Sequence, residues 1–441
     1  MARPRTAESI LGPDHTARSR SRVHLLRRQQ IALAADPDRG DQPQSEHPPE
    51  SRVVGKSTTV GRTSLDVGPR RARRGLTRLF LSTIPSSPPV LRAIVAATVL
   101  AAANCSGSRS GDPSHGTAGA CTFSNPIGTG QDPWVVRQSG VYYFAESHDN
   151  AIWIHKSGWL NTITSDGVAV WTAPASGWNQ TNIWAPELHY IDGRWYIYYA
   201  GGSSGPPFIA QRAGVLQSVN DDAQGAYTDL GMLYTGDDVA NHTNPIWAID
   251  LTVHRLNGQL YAVWSGWEQN ASTDRTPQHL YIATMSDPHT ISSNRVKLSS
   301  PTESWELGTE LNLQEGPEFL ERAGQVFIIY SARESWLRDY RLGQLRLTTS
   351  ADPKNPASWV KTGPVFAGTS DTYGVGHASF TTSLDSTEDW IVYHTKVDPA
   401  PGWDRVIRTQ KFSWNADGSP NFGIPVPSSQ AIPMPSGQCK S

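Results

Sequence analysis

From Asp132 onward the chain repeats one pattern five times, and each repeat brings an ionisable residue to the head of an apolar strand. A turn containing Gly or Asp follows, then a second, aromatic-rich strand, a third strand and a weaker fourth. The units read DPWVVRQSGVYYFAES from Asp132, APELHYIDGRWYIYYAGG from Ala185, IDLTVHRLNGQLYAVWSG from Ile249, EGPEFLERAGQVFIIYSA from Glu315 and HASFTTSLDSTEDWIVYHTK from His377. Ser139-Gly140, Asp192-Gly193, Asn257-Gly258 and Ala323-Gly324 sit between alternating runs, the signal of tight hairpins. The markers Asp132, Glu187, Asp250, Glu315 and His377 are 55, 63, 65 and 62 positions apart. Units of that size suit four-stranded propeller blades. No stretch shows a helical stripe. The pattern therefore predicts an all-β chain, a five-bladed β-propeller with four-stranded antiparallel blades over residues 121–441. A two-sheet sandwich would also alternate its strands, but it would leave the ionisable heads unexplained.

In a propeller the innermost strand of each blade lines a central channel, so the heads of the repeats converge at one mouth. Four acids and a histidine gathered there repel one another and gain nothing for folding. Like-charged carboxylates in a concave site are explained by acid–base chemistry or by a metal.

Charge divides the chain. Residues 1–104 carry 17 Lys and Arg against 8 Asp and Glu, whereas residues 105–441 carry 21 against 32. An acidic body argues against nucleic acid as a partner. That body holds the 16 Trp and 14 Tyr, whose flat faces suit sugar rings as well as β cores. Residues 1–90, rich in Arg, Pro and Ser without apolar periodicity, read as disordered or as sequence upstream of the true start. Residues 91–120 read as a signal peptide and linker. Arg92 precedes the apolar run Ala93–Ala103, too short to span a bilayer but suited to a secretory signal. Arg73-Arg74 could mark a twin-arginine route, and Cys105 could be a lipidated cysteine, although an ordinary cleaved signal explains the segment as well. A secreted protein without a membrane span is expected. In an oxidising compartment Cys121 and Cys439, at the two ends of the body, would pair as a disulfide, worth on the order of 4 kcal/mol by chain entropy. Two free thiols are the alternative.

The strings QDPWVV around Asp132, NIWAPEL around Glu187, WAIDLTV around Asp250, EGPEFL around Glu315 and GVGHASF around His377 resemble glycoside hydrolase family 43. The stretch RVIRTQKFSWNADGSP from Arg405 resembles that family's last blade, and the likeness covers roughly residues 121–436. The resemblance implies a five-bladed propeller that hydrolyses arabinan or xylan with inversion. It implies Asp132 as general base, Glu315 as general acid, and Asp250 as the carboxylate that orients the acid and tunes its pKa. Such a division suits inversion, which needs one carboxylate to activate water and one carboxyl to protonate the leaving oxygen. It further implies His377 in the central channel, near a calcium or other ion reached through water, because neutral imidazole is a poor direct ligand for hard cations. No cofactor is required. Arg405 corresponds to a substrate-contacting arginine, and Trp134, Trp184 and Trp247 lie beside the acidic positions, where they could stack on pentose faces or pack the core. Glu187 joins the substrate-binding set.

Two departures stand out: Glu318 follows Gly316-Pro317 where many relatives carry His, and Leu251 follows Asp250 in place of Pro. The wording from Ser176 to Gly202 is closest to arabinan-active members, so the expected activity is removal of terminal α-L-arabinofuranosyl units from plant cell-wall arabinan or arabinoxylan oligosaccharides by a monomer. β-Xylosidase and endo-α-1,5-arabinanase share the same carboxylates. A non-catalytic sugar-binding propeller would need only the aromatics and one or two acids. A WD-type scaffold or a sialidase propeller would carry punctuation that this sequence lacks.

Overall fold

The computed structural model describes residues 121–348 and 351–439, so the expectations for residues 1–120, including Arg73-Arg74 and Cys105, lie outside the described residues. Five antiparallel sheets follow one another along the chain. The first strands of the blades are Trp134–Gln138, Thr181–Ile191, Ala248–Leu256, Gln314–Arg322 and Tyr373–Thr382. They contact one another around a ring, which puts them innermost, around the axis. Four of the five hairpins to the second strands turn at the dipeptides read from the sequence. Both turn residues have positive φ in each case, 49–51° at the first and 76–85° at the glycine. Those are type I′ angles, whose twist matches that of the flanking strands.

The core is correspondingly divided. Five buried clusters each fill one junction between neighbouring blades, for example Ile152, Ile154 and Trp134 of blade one against Leu188, Ile197 and Tyr199 of blade two. The last junction returns to the start, with Val135 and Phe144 packed on Trp390, Val392 and Ile407. No blade buries its faces alone, so the ring is stable only when closed.

Closure uses the N-terminal end of the body. Gly128–Thr129 pairs with Arg405–Trp414 and supplies the outer strand of blade five, while Thr122–Phe123 pairs with Ile432–Pro433. Cys121 and Cys439 are joined as a disulfide, with Cα atoms 6.0 Å apart. Blade three departs from four strands: two short segments, Thr290–Ile291 and Val296–Ser299, share the edge of its third strand. Among the described residues no helix is long and apolar enough to cross a membrane.

Candidate active site

A β-bulge at the head of the inner strand builds the site in blades two to five. In those blades two residues oppose one at Ala185-Pro186, Asp250-Leu251, Gly316-Pro317 and His377-Ala378, and the opposing residues are Tyr199, Trp264, Tyr330 and Tyr393. Asp132-Pro133 precedes the inner strand of blade one in the same way. The first residue of each pair is left-handed, with φ of 49° at Asp132, 42° at Ala185, 53° at Asp250, 53° at Gly316 and 45° at His377. A bulge bends the strand and re-aims its side chains. For a side-chain-bearing residue the left-handed conformation costs about 1–2 kcal/mol, supplied here by the packed aromatic behind it. Gly316 avoids that cost, and a Cβ there would meet the His377 ring at 3.1 Å.

The bulges also correct the register read from the sequence. Position for position, the head of blade two is Ala185 rather than Glu187, and the head of blade four is Gly316 rather than Glu315. Glu315 therefore stands one residue before its bulge, at the mouth. Glu187 stands two residues beyond Ala185, deeper in the channel.

Asp132, Asp250 and Glu315 meet at one pocket of about 230 Å³, with Trp184, Trp247, His377 and Arg405 also on its walls. Trp134 and Glu187 are not on that pocket. They line a narrower space further along the axis together with Glu318. Trp134 is buried between blades one and two, donates its indole N–H to Leu188 O at 2.8 Å and packs on His189 at 4.5 Å. Trp247 is also a wall residue, stacked on Trp267 at 4.4 Å with its N–H on Phe208 O. Residues that the sequence reading passed over complete the pocket: Asn182, Phe208, Asp274, Arg275, Trp336 and Trp403.

Asp132 is held on several sides. Its Oδ1 lies 3.2 Å from His377 Nδ1 and 3.4 Å from an Arg405 Nη1, and its backbone N–H donates to His394 Nδ1 at 3.1 Å. The His377 backbone N–H donates to Ser331 Oγ at 2.8 Å, which anchors the backbone at the bulge. His394 was not singled out, although it occupies a place in the second strand where blades two to four carry Ala200, Ser265 and Ser331. Burial pushes His394 down to about 3, and its Nδ1 lies 3.4 Å from Asp132 Oδ1. The ring stacks on Tyr340 at 5.5 Å, and Tyr340 reaches toward Glu315 through space that Gly376 leaves free.

The three carboxyls consequently differ. Burial alone would raise Asp132, but His377, His394 and Arg405 together hold it well below the usual carboxylate range. Burial pushes Glu315 up to about 7; the nearby Asp132 charge adds to this, while Tyr340, Arg405 and Ser335 partly offset it. Asp250 is raised by burial and by the charges of Glu315 and Asp132, and it accepts the Gly316 N–H at 2.9 Å. That bond favours charge on Asp250 and offsets part of the rise.

Deeper in the channel, Glu187 lies 3.0 Å from His189, and Glu318 lies 3.5 Å from the Thr252 hydroxyl. Burial raises both carboxyls, and for Glu187 the neighbouring Glu318 adds to it. Burial also pushes His189 down to about 3. Among the described residues no group of three or more His, Cys, Asp or Glu side chains is arranged to hold a metal ion. His377 Nδ1 is engaged by Asp132.

Residues 123–420 match the family model described as glycosyl hydrolases family 43. The chain is 38% identical over 337 residues to an extracellular exo-α-(1→5)-L-arabinofuranosidase of Streptomyces avermitilis, a match covering 72% of this chain and 67% of that protein. It is 36% identical over 311 residues to α-L-arabinofuranosidase 43 of Humicola insolens, covering 67% of this chain and 62% of that one. The chain thus spans about two thirds or less of the length of these two relatives. Among solved structures, an α-L-arabinofuranosidase from Lactobacillus brevis superposes with a TM-score of 0.63 at 32% identity, over 69% of this chain and 98% of that one.

Proposed function

The chain belongs to glycosyl hydrolases family 43, and on that premise we propose a secreted, inverting α-L-arabinofuranosidase that removes terminal units from plant arabinan or arabino-oligosaccharides. The observation that carries the proposal is the division of two carboxyls in one pocket, Asp132 kept ionised and Glu315 kept protonated up to about 7. A binding-only propeller has no use for that split. The sugar is argued from the arabinofuranosidase relatives and from the sequence around Glu187; secretion is argued from the signal-like run before Cys105 and from the relative named extracellular.

In the proposed reaction Glu315 gives its proton to the departing glycosidic oxygen as the bond to the anomeric carbon breaks. A water on the opposite face attacks that carbon and passes a proton to Asp132. A carboxylate held as low as Asp132 is a weak base. The water it faces becomes strongly acidic, however, once its oxygen bonds to the cationic carbon, so the transfer is favourable late in the step. Asp250, held by the Gly316 N–H, orients Glu315 and tunes its pKa. The cycle ends with Asp132 protonated and Glu315 ionised, and solvent restores both. An ion near His377 takes part in no step. One chain supplies every group named, in keeping with action as a monomer.

The test is hydrolysis of nitrophenyl α-L-arabinofuranoside, nitrophenyl β-xyloside and linear arabinan, with the first-formed anomer followed by NMR. Cleavage of the arabinofuranoside with release of the β-anomer is expected. Cleavage of the xyloside alone would replace the sugar and keep the mechanism, whereas a retained anomer would overturn the assignment of Asp132 as base.

A further inference from the structure

The wall of the catalytic pocket is tied across every junction between blades. Asn182 N–H donates to Asn150 Oδ1 at 2.9 Å between blades two and one, and Phe208 N–H donates to Asp274 Oδ2 at 3.1 Å between two and three. Between three and four, the Arg275 guanidinium lies 5.0 Å over the Trp336 ring and 3.3 Å from Glu310. Trp336 meets Trp403 at 5.6 Å between four and five, and Arg405 donates to Gln131 Oε1 at 3.3 Å between five and one. A polymer lying across the pocket needs two gaps in such a wall, one for each direction of the chain.

The wall is uneven in height. The connection from second to third strand is two residues in blade one (149–150) but nine, twelve, eight and eight residues in blades two to five (203–211, 267–278, 333–340 and 397–404). Blade one thus leaves one low side. Opposite it, the longest connection carries Arg275, and its tie to blade four rests on half-exposed groups, an Arg275 side chain 42% exposed and a Glu310 side chain 48% exposed. An exposed ion pair is the weakest kind of tie in the ring, although stacking of the guanidinium on Trp336 strengthens it.

We propose that Arg275 is the residue that confines this enzyme to chain ends, because its bridge to Glu310 and Trp336 removes the second gap that an internal segment of polymer would need. The proposal rests on the arabinofuranosidase reading above. It deepens that reading by assigning terminal action to one side chain outside the acid–base machinery, in the connection from second to third strand of blade three.

The experiment digests linear arabinan with the wild type, Arg275→Ala, Arg275→Lys and Glu310→Ala, and separates the early products by chromatography while viscosity is followed. Wild type is expected to release arabinose alone with little loss of viscosity. Arg275→Ala is expected to release di- and trisaccharides as well, and to lower viscosity more for the same number of bonds cut. Arg275→Lys, which keeps the charge and loses the planar stack, and Glu310→Ala, which unties the guanidinium, should shift the same way by less. These two give an answer if Arg275→Ala does not fold, as judged by its thermal melt. Arabinose as the sole product of every folded variant would overturn the proposal, as would oligosaccharides from the wild type. A wild type inactive on both arabinose substrates would instead sink the reading on which it rests.

Discussion

Two sets of buried acids lie along the same channel and have opposite surroundings. At the mouth, Asp132, Asp250 and Glu315 share an arginine, two imidazoles and a backbone N–H, and they end in different protonation states. Below them, Glu187 is buried and Glu318 partly buried, and their polar neighbours are a histidine, a threonine hydroxyl and each other. Both shift the same way. Burial therefore produces perturbed carboxyls in either place, and only the mouth, where charge partners are unequally distributed, produces an acid and a base together.

The largest expected effect tests that contrast directly. Asp132→Asn and Glu315→Gln should each lower kcat on linear arabinan by about 10³-fold, in the middle of the range for lost general acid–base groups. Glu187→Gln and Glu318→Gln should each stay within about tenfold of wild type, since they lie off the pocket. A loss at Glu187 equal to that at Glu315 would break the contrast.

A smaller effect concerns pH. In the proposed mechanism activity requires Asp132 ionised and Glu315 protonated. With Asp132 far below the usual range and Glu315 at about 7, kcat/KM should be level through mildly acidic pH and fall about tenfold per unit above about 7. Asp250→Asn removes a negative neighbour of Glu315, so the falling limb should move to lower pH by about one unit. An unmoved limb would leave Asp250 an orienting role only.

The smallest effect is on stability. Glu187 and Glu318 have folded values raised above their unfolded ones, so the folded state holds protons that the unfolded state has lost. Their contribution is fully present below the unfolded carboxylate value and is lost as pH rises toward the folded one. As pH rises from the unfolded carboxylate value, Glu318→Gln should flatten the part of the decline in melting temperature that Glu318 contributes. A variant whose melting temperature tracks the wild type across that range would show Glu318 to be ionised in the fold.

Much of this was legible in the chain. The four two-residue hairpins, the blade size and the pairing of Cys121 with Cys439 follow from local rules of turn chemistry and from the need of a ring to bring its ends together. The heads of blades two and four were misplaced because a bulge inserts a residue without any mark in apolar alternation. Trp134 and Trp184 look alike beside their acidic motifs, yet one packs between blades and the other lines the pocket. His394 had a faint signal as a histidine where other blades carry Ser or Ala. Arg275 had none, because its partners Glu310 and Trp336 belong to other connections.

The sequence by itself determined that acidic side chains and a histidine would meet at the axis of a five-bladed ring, since a repeat whose faces must be buried against its neighbours has little choice of arrangement. The tertiary structure alone decided which carboxyl holds a proton and where the wall of the pocket closes. Both depend on distances between residues that belong to different blades, and electrostatic coupling and side-chain contact follow distance in space rather than separation along the chain.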